Sequence, residues 1–113
     1  PEVVKCFVEG SIRGWYNFLY GDNAAAIAAI KADNPEMSDA AITYSIAAMK
    51  ENGIVDSGDA ETLGIGAMTD ARMEDFFGKM VAAGVVEADT DWRASYTTEF
   101  VNQGLGLDLK PAQ

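Results

Sequence analysis

The sequence of 113 residues has no histidine and a single cysteine, Cys6. A Ser-His-Asp or Cys-His nucleophile pair is excluded within this chain, because the base that would activate the nucleophile is missing. Zinc sites built from Cys and His are excluded on the same ground. One cysteine closes no internal disulfide, so cysteine usage leaves the redox compartment open. Positive charge is also scarce: 8 Lys and Arg stand against 18 Asp and Glu, for a formal net charge of −10. Nucleic acid and anionic lipid surfaces both require clustered cations, so neither partner is expected. No apolar run approaches the roughly 20 residues of a membrane span. There is no initiator Met and no signal peptide, and the chain opens at Pro1 in sequence that already reads as helix. This predicts a piece of a longer protein.

What is present suffices for one domain and a modest core, since 49% of the residues are hydrophobic. Helical periodicity dominates, and the expected fold class is all-α, with about five helices. The first helix is predicted over Glu2 to Tyr20, with Pro1 at its start and Gly21 as its stop. Val4, Phe7, Val8, Ile12, Trp15, Phe18 and Leu19 share one half of that cylinder, and Lys5, Glu9, Arg13 and Asn17 the other. Half a cylinder is a wide apolar face, which predicts packing against more than one neighbour. The second helix follows a cap at Asp22 or Asn23 and runs through Ala-rich sequence to about Ala32, before Pro35. The third opens on the N-cap Ser38 and closes at Lys50 and Gly53. The fourth runs from the N-cap Thr69 to about Ala83, ending at Gly84. A fifth is predicted from about Thr90 to Asn102, on the spacing by four of Trp92, Tyr96 and Phe100, with Asp89, Thr90 or Asp91 as cap. Ile54–Met68 reads as the longest irregular stretch, with a short extended piece at Thr62–Ile65. Two segments are expected: 1–104 helical, and 105–113 a loosely ordered tail.

Chemistry-bearing candidates are few. The loop Gly64-Ile65-Gly66-Ala67-Met68-Thr69 combines glycines, which permit close backbone approach, with a helix start whose free N–H groups face an anion. It lacks the third glycine and the preceding strand of a dinucleotide fingerprint. Asp56, Asp59 and Glu61 cluster around Gly58, but their spacing fits no EF-hand, and a solvated acidic loop is expected. Glu74 and Asp75 are adjacent on a helix and diverge, so they read as solvent-facing rather than as an acid–base pair. The aromatics Trp15, Tyr16, Trp92, Tyr96 and Phe100 read as core, with Tyr16 at the edge of its arc as the best candidate for a partly exposed contact. Cys6 lies on the polar side of the first helix, without the positive surroundings of a reactive thiol. No catalytic residue, metal ligand or cofactor is expected in this chain.

Four phrases occur in order along the chain: Pro1-Glu2-Val3-Val4-Lys5-Cys6-Phe7-Val8-Glu9, Asp33-Asn34-Pro35-Glu36-Met37, Gly53-Ile54-Val55-Asp56-Ser57-Gly58-Asp59-Ala60 and Leu63-Gly64-Ile65-Gly66-Ala67-Met68-Thr69-Asp70-Ala71-Arg72. Together they resemble the C-terminal region of bacterial periplasmic substrate-binding proteins of ABC importers. The branch is the one associated with nitrate, sulfonates, taurine and thiamine-pyrimidine precursors. The last two phrases are the more specific ones. The resemblance implies the final helices of a two-lobed α/β fold, without its sheets or its crossovers between lobes. It also implies a non-enzymatic solute-binding function, a periplasmic or lipid-anchored location and an ABC permease as partner. Most cleft residues of such proteins lie outside this chain. Within it the expected ligand contacts are Met68, Thr69 and Asp70, in the loop from Gly66 to Thr69 and the turn that follows. Two alternatives are kept. One is the branch of the same superfamily that makes the thiamine pyrimidine with pyridoxal phosphate and a histidine, a residue missing here. The other is a free-standing helical interaction module. Exposed apolar surface on the first helix would lead the chain to form a homo-oligomer.

Overall fold

A computed structural model describes residues 1–112. It is all-helical, with five α-helices and no strand among the described residues. The helices are α1 (Glu2–Tyr20), α2 (Ala24–Asp33), α3 (Asp39–Glu51), α4 (Ala60–Leu63) and α5 (Asp70–Ala82). Two 3₁₀ turns, Trp92–Ser95 and Leu107–Leu109, complete the order. Among the described residues no helix is long and apolar enough to cross a membrane.

Local chemistry accounts for most helix ends. Asp22 Oδ1 accepts from the Ala24 N–H at 3.1 Å, so Asp22 supplies the side-chain cap of α2 from one position upstream of Asn23. The Ser38 hydroxyl accepts from Ala41 N–H at 3.1 Å, and the Thr69 hydroxyl from Arg72 N–H at 3.2 Å. Helices α3 and α5 close in the same way. Gly53 and Gly84 take left-handed φ, and the next residues, Ile54 and Val85, donate back to Met49 and Met80. This is the six-to-one bond of a Schellman ending.

Two expected elements differ. The aromatics from Trp92 onward do not form an α-helix: one 3₁₀ turn, Trp92–Ser95, gives way to extended and bent backbone. The ring of Trp92 stacks between Phe77 of α5 and Tyr96, with both centroid distances 6.1 Å. The aromatic spacing therefore serves a tertiary stack on α5 rather than a helix face. The extended piece expected at Thr62–Ile65 is absent as well. Thr62 and Leu63 end the one-turn helix α4, and Gly64 reverses the chain at φ +92.

The core gathers on one side of α1. Ile12, Tyr16 and Leu19 cluster with Ile65, and Val8, Tyr20, Met49, Val55, Leu105 and Leu107 pack around them. Tyr16, expected to be partly exposed, is only 1% exposed. Its hydroxyl accepts from the Ile65 N–H at 3.1 Å, and its ring closes against Gly106. That contact also holds residues 105–110 of the stretch 105–113 expected to be a loosely ordered tail, whose last residue, Gln113, lies outside the described residues. Gly106 is buried, Leu105 and Leu107 join the core, and Lys110 reaches Asp56. Trp15, expected in the core, is 41% exposed. Helices α2 and α5 contribute no buried residue.

So narrow a core leaves an open molecule. The accessible surface is 7773 Å². A compact 12.0 kDa monomer exposes about 6,000 Å². The radius of gyration, 16.7 Å, likewise exceeds the ~13 Å of a compact domain of this length.

Gly106 and Gly58 separate backbone strain from packing. Both have positive φ, +83 and +63. A β-carbon on Gly106 would lie 2.5 Å from Tyr16 Cδ2, whereas one on Gly58 meets nothing within 4 Å. Gly58→Ala is expected to cost about 1 kcal/mol, the left-handed penalty alone. Gly106→Ala is expected to cost about 3 kcal/mol, because the clash adds to that penalty. Chemical denaturation followed by circular dichroism reads the difference, and equal losses would show that the ring contact is unimportant.

Candidate functional site

The chain from Ile54 to Arg72 folds around a cleft of about 520 Å³. One wall is the loop containing Ser57, Gly58 and Asp59, and the other is Gly66, Ala67 and Arg72. Three anchors hold these walls. The Ile65 N–H is fixed to the Tyr16 hydroxyl, as described. Across the next turn the Asn102 side chain accepts from Met68 N–H at 3.0 Å and returns a bond to the Met68 carbonyl. Asn102 has φ 64, a left-handed conformation that asparagine adopts more readily than most residues. Finally, the Thr69 hydroxyl donates to Asp59 Oδ2 at 3.2 Å, tying one wall to the other.

The near wall is secured from beneath by Asp56, which was expected in a solvated acidic loop and is instead 3% exposed. Tyr20 donates its hydroxyl to Asp56 Oδ2 at 2.5 Å, and Lys110 Nζ pairs with the same oxygen at 3.0 Å. Burial pushes the Asp56 carboxyl up, but the Tyr20 and Lys110 bonds and the Lys110 charge outweigh it and leave the pKa below 3.8. Burial, together with the Asp56 bond, raises Tyr20 from 10.0 to about 12. Neither group exchanges protons near neutral pH, so the cluster is a clamp rather than an acid–base pair. Among the described residues no group of three metal-ligating side chains converges.

The residues expected to touch ligand lie beside this cleft, with their polar groups engaged inside the chain. Met68 is half-buried and uses both backbone groups on Asn102. The Thr69 hydroxyl serves as N-cap and as donor to Asp59. Asp70 is exposed and accepts the Tyr96 hydroxyl, a bond that raises the Tyr96 pKa. From the same loop it is Gly66 and Ala67 that line the cleft. Asp59 and Arg72 contribute the charged side chains, and they make no ion pair with each other or with any other described residue. Arg72 was missed as a candidate because one cation in a helix's first turn carries no motif. Its significance comes from the loop folded opposite it.

Elsewhere, Glu74 and Asp75 face solvent as expected, with Asp75 paired to Lys79 at 2.6 Å. Cys6 is exposed. An apolar groove of about 390 Å³ lies between α1 and α2, lined by Trp15, Phe18, Ala26 and Ile30. Comparison with protein-family profiles, with curated proteins and with solved structures finds no match.

The clamp defines the pH response. Tyr20 binds its proton more tightly folded than unfolded, so its contribution is complete below pH 10 and is lost as pH rises through about 12. Asp56 holds its proton less tightly folded, so its contribution is present above 3.8 and is lost as pH falls through its lowered pKa. Thermal melts across pH are expected to show this alkaline loss in the wild type and its disappearance in Tyr20→Phe. An unchanged alkaline limb in that variant would assign the loss to other groups.

Proposed function

We propose that this chain is the helical C-terminal part of the solute-binding component of an ABC importer. It is non-enzymatic and acts outside the cytoplasm, periplasmic or lipid-anchored, delivering its solute to the permease. The observation that carries the reading is the cleft in which Arg72 and Asp59 stand unpaired with each other. An uncommitted guanidinium suits the oxygens of a small anion. A carboxylate in the same space suits an ammonium group. Among nitrate, sulfonates, taurine and thiamine-pyrimidine precursors, taurine is the solute that uses both charges. Glycine backbone at Gly58 and Gly66 leaves the cleft walls free of side-chain bulk. In a two-lobed receptor this cleft forms part of the enclosure, and selectivity follows from closure around the solute rather than from bond chemistry. The ordered anchors under both walls favour a preformed surface, which lowers the ordering cost of binding.

A second reading, a free-standing helical interaction module, is favoured by one observation. The core closes on the chain's own C-terminal residues, with Gly104 N–H donating to the Leu63 carbonyl at 2.9 Å.

Calorimetric titration of the protein carrying this chain with nitrate, an alkanesulfonate, taurine and an aminopyrimidine separates the two. Saturable binding of taurine is expected. Arg72→Gln should weaken taurine and alkanesulfonate alike by about tenfold or more, and Asp59→Asn should weaken taurine alone. The paired variant Thr69→Ala and Asp70→Ala tests the remaining expected contacts, and unchanged affinity would remove them from the site. If none of the four solutes binds, the receptor reading fails and the module reading takes its place.

A further inference from the structure

The outer face of α1 points to a second copy of the chain as its occupant. At about 100° per residue, Val4, Phe7, Ser11, Trp15 and Phe18 fall within one arc of the helix, away from the core residues Ile12, Tyr16 and Leu19. Phe7 is 75% exposed and Val4 48%. The helix's charged residues, Glu2, Lys5, Glu9 and Arg13, all lie outside this arc. A chain of net charge −10 therefore has an uncharged strip on which two copies can meet without like-charge contact.

The spacing of the strip is symmetric. Measured from Ser11, bulky residues stand four and seven positions away on both sides: Phe7 and Val4 before it, Trp15 and Phe18 after it. A two-fold interface requires that residue i meet j and that j meet i. Antiparallel α1 helices crossing at Ser11 meet that condition, with Phe7 opposite Trp15 and Val4 opposite Phe18. The groove between α1 and α2 lies on the Trp15 side, so the exposed Phe7 of each copy faces the groove of the other. Gly14 borders that groove, and its Cα has open space beside it, which permits close approach. Trp15, 41% exposed, leaves the strip open on the groove side as Phe7 and Val4 do at the other end. We propose that the chain forms a two-fold dimer through this face, Phe7 of each copy filling the α1–α2 groove of the other. The proposal does not rest on the receptor reading.

Sedimentation equilibrium tests it, with circular dichroism to verify folding. The wild type is expected to be a dimer. Phe7→Ala should raise the dissociation constant at least about tenfold. Gly14→Leu, which obstructs the groove at an exposed position, should leave a folded monomer. Ser11→Cys in a Cys6→Ser background should cross-link across the two-fold under mild oxidation. A wild type that stays monomeric at the highest soluble concentration would overturn the proposal and assign the face to another occupant, such as the remainder of a longer polypeptide. A dimer that survives both the Phe7 and Gly14 changes, or that fails to cross-link at position 11, would overturn it equally.

Discussion

Tyr16 joins three stretches of chain that no regular secondary structure connects. Its hydroxyl takes up the Ile65 N–H, its ring closes on Gly106, and its neighbours Ile12 and Leu19 share its cluster. The closest pairings between elements are α1 with the Leu107–Leu109 turn and α5 with the Trp92–Ser95 turn, rather than helix with long helix. In a bundle the loss of one buried contact is shared among many layers. Here the loop, the C-terminal segment and α1 converge on one small cluster centred on Tyr16. The buried amide of Ile65 has no alternative partner in water, so the hydroxyl matters beyond its own bond. Gly64 and Gly66, both with left-handed φ, let the backbone turn on either side of Ile65 and present that amide to the Tyr16 hydroxyl.

The position of this knot explains both the cleft and the bare faces. Because Tyr16, Leu19 and Ile12 draw the loops to one side of α1, the outer side has only α2 beside it, across the groove lined by Trp15, Phe18, Ala26 and Ile30. The same loops, once drawn in, enclose the space between Ser57–Asp59 and Gly66–Arg72. The Asp56 clamp then fixes the near wall from the C-terminal side. Lys110 supplies a charge to a carboxylate that burial alone would drive toward its neutral form. The residues beyond Gly104 therefore support the cleft, although they lie far from it in sequence.

Much of this was legible where the chemistry is local. Ser38 and Thr69 followed by helical sequence, and Gly53 and Gly84 after it, specify helix ends through bonds made within a few residues. The width of the apolar arc on α1 also carried real information: it is divided between a core side and an outer side. What could not be read depends on distant partners. The spacing of Trp92 and Tyr96 by four suits a helix as well as a stack on Phe77, and only the fold decides between them. Thr97 and Thr98, β-branched and adjacent, weaken the helical alternative without excluding it. Tyr16 reads from sequence as the edge of an arc because its partners, Ile65 and Gly106, are 49 and 90 positions away. Nothing local to Asp56 or Arg72 in the sequence marks the buried clamp or the cleft, because their environments arise only when the loop closes.

The geometry also separates the two surfaces assigned a role. The cleft lies on the core side of α1, where Gly66 approaches the Ile12 side chain, and the symmetric strip lies on the outer side. Copies that join through the strip bring no side chain of the strip into the cleft. Coupling between the two sites would require a bistable element between them, and α1 is a continuous helix with its core face held by Tyr16. The proposed solute capture and the proposed self-association are thus expected to be energetically independent, each resting on its own face of one helix. An acidic chain keeps both available by confining its charge: the strip has none, and the cleft has one of each sign. The remaining excess of carboxylates is spread over surfaces that neither role uses.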